Sequence, residues 1–340
     1  MSDRLRVALV GCGRISKNHF EAIKRVPGLE LVGVADTLSE RARSAGAEYG
    51  VPAFDSLESM LAGVQCDIVT VAAPSGLHPA LGIEAARSGK HVVSEKPMAI
   101  SLVGADSLID ACAEGGVKLF VVKQNRLNPA IQLVKRAVEK GRFGRIHSAN
   151  CTVRWARPQE YYDQAPWRGT WAMDGGAFMN QASHYVDLIQ WLAGPVDSVV
   201  AMTATQERRI EAEDSGAAVL RFRNGAIGVL DVTMLTYPKN LEGSLTILGD
   251  RGSVKIGGTA VNRVETWLFE DYDDDDKLIE SAATTPPNVY GFGHEGYYRN
   301  VVRVLRGEAV PDTDGAEGRK SLEIILAIYE SARTGRNVRL

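Results

Sequence analysis

The sequence predicts an α/β protein: an N-terminal Rossmann-type doubly wound parallel sheet over residues 1–124, then a C-terminal α+β domain on a mostly antiparallel sheet over residues 125–340. Three observations carry this. In the first third, short runs rich in β-branched residues alternate with longer stretches of helical spacing, as repeated βαβ units require. After about residue 125 the rhythm changes to a few helices and then consecutive strands. The length agrees, since 340 residues at ~150 per domain make two cores.

The first five strands are expected at Arg6–Val10, Leu29–Val34, Ile68–Val71, His91–Val93 and Lys118–Val122. Each is apolar on both faces, as strands sandwiched between helix layers must be. Between them Ile15–Arg25, Ser39–Tyr49, Leu77–Ser88 and Leu102–Glu114 read as helices, several stopped by a glycine such as Gly50, Gly89 or Gly115. The second domain opens with helices at Ala130–Lys140 and Ser183–Leu192. Strands follow at Ser198–Thr205, Ala217–Arg223, Ala226–Leu235, Gly243–Leu248 and Ser253–Ile256, with Asn224 and Gly225 as a tight hairpin. Helices Gly296–Leu305 and Ala316–Ser331 close the chain.

Composition excludes whole classes of partner. With 39 basic and 42 acidic residues the net charge is −3, which leaves no general excess to neutralise nucleic acid or an anionic membrane. No apolar run approaches the ~20 residues of a bilayer span, and the N-terminus lacks a signal-peptide core, so a cytoplasmic protein is expected. Cys12, Cys66, Cys112 and Cys151 are too dispersed for a disulfide framework or zinc knuckle and read as buried apolar residues. His19, His91, His147 and His294 show no ligand spacing, and Asp273–Asp276 reads as a solvated loop, so no metal is expected.

Gly11-Cys12-Gly13-Arg14-Ile15-Ser16 follows the first strand and opens the first helix, the setting a dinucleotide fingerprint needs. Gly11 permits the turn, and Gly13 lets the backbone approach a pyrophosphate. The N–H groups from Arg14 and Ile15 onward receive the anion at the helix end. Ser16 stands at the third glycine position and is still small enough for close packing. Asp36 ends the second strand, where a carboxylate accepts ribose hydroxyls and repels a 2′-phosphate, so NAD is preferred over NADP. The other reading of Asp36 is an acidic cap before Ser39. Pro74, Ser75 and His78 lie at the carboxyl edge of the sheet and suit cofactor positioning, although His78 equally reads as a first-turn helix residue. Glu95-Lys96-Pro97 lies at the same edge and places a lysine at the nicotinamide end.

This pattern resembles the Gfo/Idh/MocA oxidoreductase family over nearly the whole chain. The resemblance rests on the glycine turn, on Glu95-Lys96-Pro97 and on the segment Gly175 to Asp187 that contains His184. It implies that Lys96 and His184 face the carbon exchanging hydride with the nicotinamide, and that Glu95 and Gln124 contribute to the cofactor site. The family's usual acidic residue four before the histidine is here Asn180, so a proton relay through that position is in doubt. Within the family, Lys123 to Arg126, Trp167 to Trp171, Asn180-Gln181 and Tyr237 to Asn240 resemble the branch that oxidises a UDP-linked sugar acid. That implies conversion of the C3 hydroxyl of UDP-2-acetamido-2-deoxy-glucuronate to a ketone, for bacterial surface-polysaccharide (O-antigen) synthesis, by a homotetramer.

A diphosphate and a carboxylate call for local cations. Arg154, Arg157 and Arg168 fall close to Tyr161, Tyr162 and three of the five tryptophans, Trp155, Trp167 and Trp171. Planar guanidinium groups suit phosphate or carboxylate, and aromatic faces suit a sugar or uracil ring. A subunit interface has the same composition. Lys239 is a weaker substrate candidate beside Asn240, with an ordinary turn as its alternative. For the chemistry, Lys96 is the expected general base. A free lysine titrates near ~10.4, and partial burial with a cationic nicotinamide lowers that. His184 is the orienting partner or alternate base, and a core histidine is its plain reading. Two alternatives stand: a dehydrogenase of a free cyclitol or sugar, and a dinucleotide-sensing regulator without catalysis.

Overall fold

The computed structural model describes residues 4–284, 291 and 293–340. They form two compact units, Met1–Lys123 with His294–Arg319, and Gln124–Gly293 with Lys320–Leu340.

The first unit runs β1 (Leu5–Val10), α1 (Ser16–Arg25), β2 (Leu29–Ala35), α2 (Ser39–Tyr49), β3 (Ala53–Phe54), α3 (Leu57–Gly63), β4 (Ile68–Val71), α4 (His78–Arg87), β5 (His91–Ser94), α5 (Leu102–Glu114) and β6 (Leu119–Val121). The six strands pair in parallel in the order β3-β2-β1-β4-β5-β6. The strand order reverses at β1, so the crevice beyond the carboxyl ends of β1 and β4 is where such a sheet binds ligands. Val7, Ala8, Leu9, Val69, Val71, Val92 and Val93 are fully buried, which is why these strands read as continuous apolar runs. The sequence reading passed over β3 and α3. A two-residue strand leaves no periodicity, whereas Ser56 and Ser59 form a capping box at α3 that was there to be read.

The chain continues through α6 (Pro129–Glu139), β7 (Ile146–Arg154), α7 (Gln159–Asp163), α8 (Ser183–Ala193), β8 (Val196–Ala204), β9 (Ser215–Phe222), β10 (Ile227–Thr233), β11 (Glu242–Gly249), β12 (Gly252–Gly257), β13 (Arg263–Phe269), α9 (Ile279–Ala282), α10 (Gly293–Leu305), α11 (Gly315–Thr334) and β14 (Val338–Arg339). The second sheet has the order β13-β12-β11-β7-β10-β9-β8-β14, and only β7 and β10 pair in parallel. Asn224 and Gly225 make the expected hairpin, with Gly225 at φ 91°. One face is apolar at alternate positions, Ala149, Cys151 and Val153 on β7 and Ala218, Leu220 and Phe222 on β9, and α8 lies on it. There the Cys151 thiol reaches the Tyr185 carbonyl and Trp155 meets the Tyr185 ring edge to face. On the other face Val200, Val219 and Val229 form a paired row across β8, β9 and β10, each about two-fifths to one-half exposed.

Two expectations change. The first domain was read as residues 1–124, but the first unit ends at Lys123 and takes back His294–Arg319. The reason is visible at β6, where the Val121 N–H donates to the Thr313 carbonyl and the returning Gly318 leaves no room for a Cβ against the Val121 side chain. Asp273–Asp276 is not a plain solvated loop. Asp275 accepts from Arg136 and Lys140, and Asp276 accepts from Arg142 and Trp267, which pins the turn to the basic end of α6.

Candidate active site

In the first unit the glycine turn is built by close approach. Gly11 has φ 98°, and a Cβ on it would lie 2.5 Å from the Ala72 carbonyl carbon and the Ala73 nitrogen at the end of β4. A Cβ on Gly13 would meet nothing within 4 Å, so this glycine borders open space of the kind a pyrophosphate needs. The Ser16 hydroxyl donates to the Gly13 carbonyl at 2.6 Å, no side chain caps α1, and the Ser16 and Asn18 N–H groups turn back to the Gly13 and Ile15 carbonyls at 3.2 and 3.0 Å. Arg14 is exposed and Ile15 half-buried beside them. Asp36 binds this turn to the end of β2, accepting from Cys12 N–H and Leu38 N–H at 2.8 Å each. It is not the cap of α2, whose N-cap Leu38 has no side-chain capping hydrogen bond, and its carboxylate lies at the end of β2 beside the glycine turn. These residues fit a dinucleotide.

Pro74 and Ser75 lead into a 3-10 turn, and His78 opens α4. His78 is buried with both ring nitrogens against backbone carbonyls, Pro97 at 2.7 Å and Ala73 at 2.8 Å. It ties two loops together and has no nitrogen left for a ligand. Lys96 is half-buried and precedes Pro97 through a cis peptide bond. Glu95, expected at the cofactor, instead faces the interior. Its Oε1 takes His19 Nε2 at 3.0 Å, its Oε2 takes the Lys96 N–H at 3.0 Å, and His294 Nε2 stands 3.7 Å from Oε1. His19 Nδ1 meets the Tyr298 hydroxyl at 2.9 Å, and that hydroxyl meets Thr70 at 2.8 Å. Sequence spacing concealed this cluster because His19 and His294 come from distant parts of the chain.

In the second unit, the buried His184 on α8 receives the Gln124 amide at 3.2 Å on Nε2. One turn along α8, Asp187 takes a bidentate pair from Arg126, at 2.7 Å from Nε and 2.8 Å from Nη2. The turn Gln124–Leu127 is thus clamped to the helix at both positions. Asn180 donates its amide to Asp174, which also accepts from Gly169 N–H at 2.7 Å. A buried carboxylate therefore stands one hydrogen bond behind the position where the family pattern has an acid. The guanidinium of Arg157 lies 5.4 Å from the Tyr161 ring centre and that of Arg168 lies 4.3 Å from it, with Trp167 4.8 Å from Arg168. Asn240 accepts from Ala156 N–H and from Arg157, while Lys239 is exposed beside it.

Arg154 does not join this group. Strand alternation puts it on the sheet face opposite α8, paired with Asp231 and Glu242. The same alternation, read over Ala149, Cys151 and Val153, would have placed it correctly. Trp155 is core, donating its indole N–H to the Thr259 carbonyl. The expected catalytic pair is divided, with Lys96 in the first unit and His184 in the second. Glu213 and Tyr329 were missed. Glu213 Oε1 accepts from Phe178 N–H and the Tyr329 hydroxyl, the same hydroxyl takes Met179 N–H, and a Cβ at Gly176 would collide with the Glu213 carboxylate. Together they seat the loop leading to Asn180 and His184. Burial pushes the Glu213 carboxyl up to about 7.

Family models match almost the whole chain: an NAD-binding Rossmann-fold model of the Gfo/Idh/MocA oxidoreductases over residues 5–123, and their C-terminal alpha/beta domain over residues 135–340. Among solved structures, the WlbA dehydrogenase from Bordetella pertussis in complex with NADH and UDP-GlcNAcA is 56% identical at a TM-score of 0.97, covering 100% of this chain and 99% of that one. The WlbA dehydrogenase from Chromobacterium violaceum with the same two ligands is 52% identical at 0.95, covering 99% and 96%. A D-apiose dehydrogenase from Paraburkholderia graminis is 28% identical, covering 99% of this chain and 90% of its own.

Proposed function

The chain belongs to the Gfo/Idh/MocA oxidoreductase family, and on that premise we propose that it is an NAD-dependent dehydrogenase that oxidises the C3 hydroxyl of UDP-2-acetamido-2-deoxy-D-glucuronate to the 3-keto sugar. The observation that carries the reading is the 56% identity, over the full chain, to a dehydrogenase solved with NADH and UDP-GlcNAcA. The stacked Arg157, Tyr161, Arg168 and Trp167 support it, because two planar cations and two ring faces suit a sugar nucleotide bearing a carboxylate.

NAD⁺, when bound, supplies the hydride acceptor. The Gly13 turn and the uncapped start of α1 hold its pyrophosphate, and Asp36 selects unphosphorylated ribose. Lys96 takes the hydroxyl proton as the carbinol hydride departs, and its neutral amine is the active form. His184, held by Gln124, orients the hydroxyl. Asn180 is no proton carrier: its side chain is an amide, held by Asp174. Arg154 has no part in the site.

The 3-keto product is an amine acceptor for an aminotransferase, which fits a step in surface-polysaccharide synthesis in the cytoplasm. No described helix is long and apolar enough to cross a membrane. A homotetramer accords with the exposed row Val200, Val219 and Val229, since paired apolar side chains on an open sheet face favour association.

The test is to mix the protein with the UDP-sugar acid and NAD⁺ and to follow NADH absorbance and product mass. NADH and a product two hydrogens lighter are expected, with Lys96→Met inactive. Turnover of free sugars alone, with no protection from thermal unfolding by UDP, would replace this reading with a cyclitol or sugar dehydrogenase. No turnover of any alcohol would favour a sensor.

A further inference from the structure

Glu95 has no use in the mechanism above, yet it is an ionisable group 4% exposed, next in sequence to the proposed base. Its two oxygens are committed in different directions: Oε1 toward His19 on α1 and His294 on α10, and Oε2 toward the Lys96 N–H. The contacts form one continuous chain: Thr70 meets the Tyr298 hydroxyl, that hydroxyl meets His19 Nδ1, and His19 Nε2 meets Glu95. Both nitrogens of His19 are so engaged, and the Glu95 carboxyl stands at the end of the chain.

We propose that Glu95 is a positioning residue for Lys96, an interior carboxylate fixed by His19 and Tyr298 that holds the Lys96 backbone and with it the base in place. The inference rests on Lys96 being the base. The charged and titratable groups around Glu95 are His19 from α1, His78 from α4, His294, Tyr297 and Tyr298 from α10, and Lys96 itself. Burial by itself would raise the Glu95 carboxyl, but the hydrogen bond from His19 and the nearby His294 ring outweigh it and hold the group well below the ordinary carboxylate range. Burial pushes His294 down, toward its neutral form.

Glu95→Gln tests this. The amide keeps the volume and can still accept from His19, but it removes the charge and turns a donor toward the Lys96 N–H. The expected result is a fall in kcat of about 10–100-fold from the displaced base, with KM for both substrates little changed. Tyr298→Phe, which removes only the hydroxyl that fixes His19, should give a smaller loss of the same kind and carries the test if Glu95→Gln does not fold. An unchanged kcat in variants that bind NADH normally overturns the proposal. So does a stoichiometric metal ion whose removal abolishes activity, since the cluster would then be a cation site. Lys96→Met separates the two ideas: if it retains turnover, Lys96 is not the base and the reading beneath fails first, whereas an inactive Lys96→Met with an indifferent Glu95→Gln removes only this proposal.

Discussion

Replacing Asp187 by alanine should be the most costly single change near the site. Arg126 and Asp187 are 5% and 1% exposed, joined by two hydrogen bonds of 2.7 and 2.8 Å, and the guanidinium also lies 4.8 Å from the Trp191 ring centre. Removing the carboxylate takes the bidentate partner from a buried cation, which costs about 3–5 kcal/mol, or roughly 10²–10⁴ in the folding equilibrium. The loss is local and readable, because all five tryptophans, Trp155, Trp167, Trp171, Trp191 and Trp267, belong to the second unit. Urea unfolding followed by tryptophan fluorescence therefore reports on the unit that carries the pair. Activity should fall further than stability explains, since the same clamp holds Gln124 against His184. The double variant Arg126→Met with Asp187→Leu should recover most of the stability, because an apolar pair of similar volume avoids the buried charge, but it should not recover the activity. A single variant costing under about 1 kcal/mol, the range of exposed pairs, or a double variant as unstable as the single, would refute the reasoning.

Two further outcomes follow from other parts of the second unit. The carboxyl of Glu213 titrates at about 7 in the folded protein against 4.5 ordinarily, so its contribution to stability is complete below about pH 4.5 and is lost as the pH rises through 7. The loss is about 3 kcal/mol; Glu213→Gln should flatten that decline in fluorescence-monitored urea melts, and a variant with the wild-type slope would count against it. Val219→Lys in the middle of the exposed valine row should shift sedimentation toward smaller species without changing the unfolding midpoint of the second unit, and unchanged sedimentation would take the row out of the assembly.

The first unit was legible wherever physics is local. A strand covered on both sides has no choice but continuous apolar composition, and the turn at Gly11 to Ser16 announces itself through the glycines that close approach demands. His184 and Lys96 are singled out by their motifs, not by periodicity. What stayed hidden depends on contacts between distant segments. Nothing near Glu95 foretells that His19 and Tyr298 will meet it, and the acid behind Asn180 comes from Asp174, six residues earlier on a loop whose shape no spacing rule gives. Arg154 is a different kind of miss: the alternating pattern was present in Ala149, Cys151 and Val153, but the arginine was grouped with its neighbours in sequence instead of its neighbours on the strand.

The return of His294–Arg319 to the first unit has a consequence for biosynthesis. Residues 1–123 leave the ribosome first, but the tyrosine and histidine that enclose Glu95 emerge only after residues 124–293 have been made, a delay of roughly 10–30 s at ~5–20 residues per second. Throughout that interval the nascent Rossmann sheet carries an open seam, with the last strand uncovered and a carboxylate awaiting its neighbours. Translation order thus delays completion of the N-terminal half until residue 319 has been made, and a ribosome stalled anywhere before residue 294 displays an unsealed sheet for chaperones to shield.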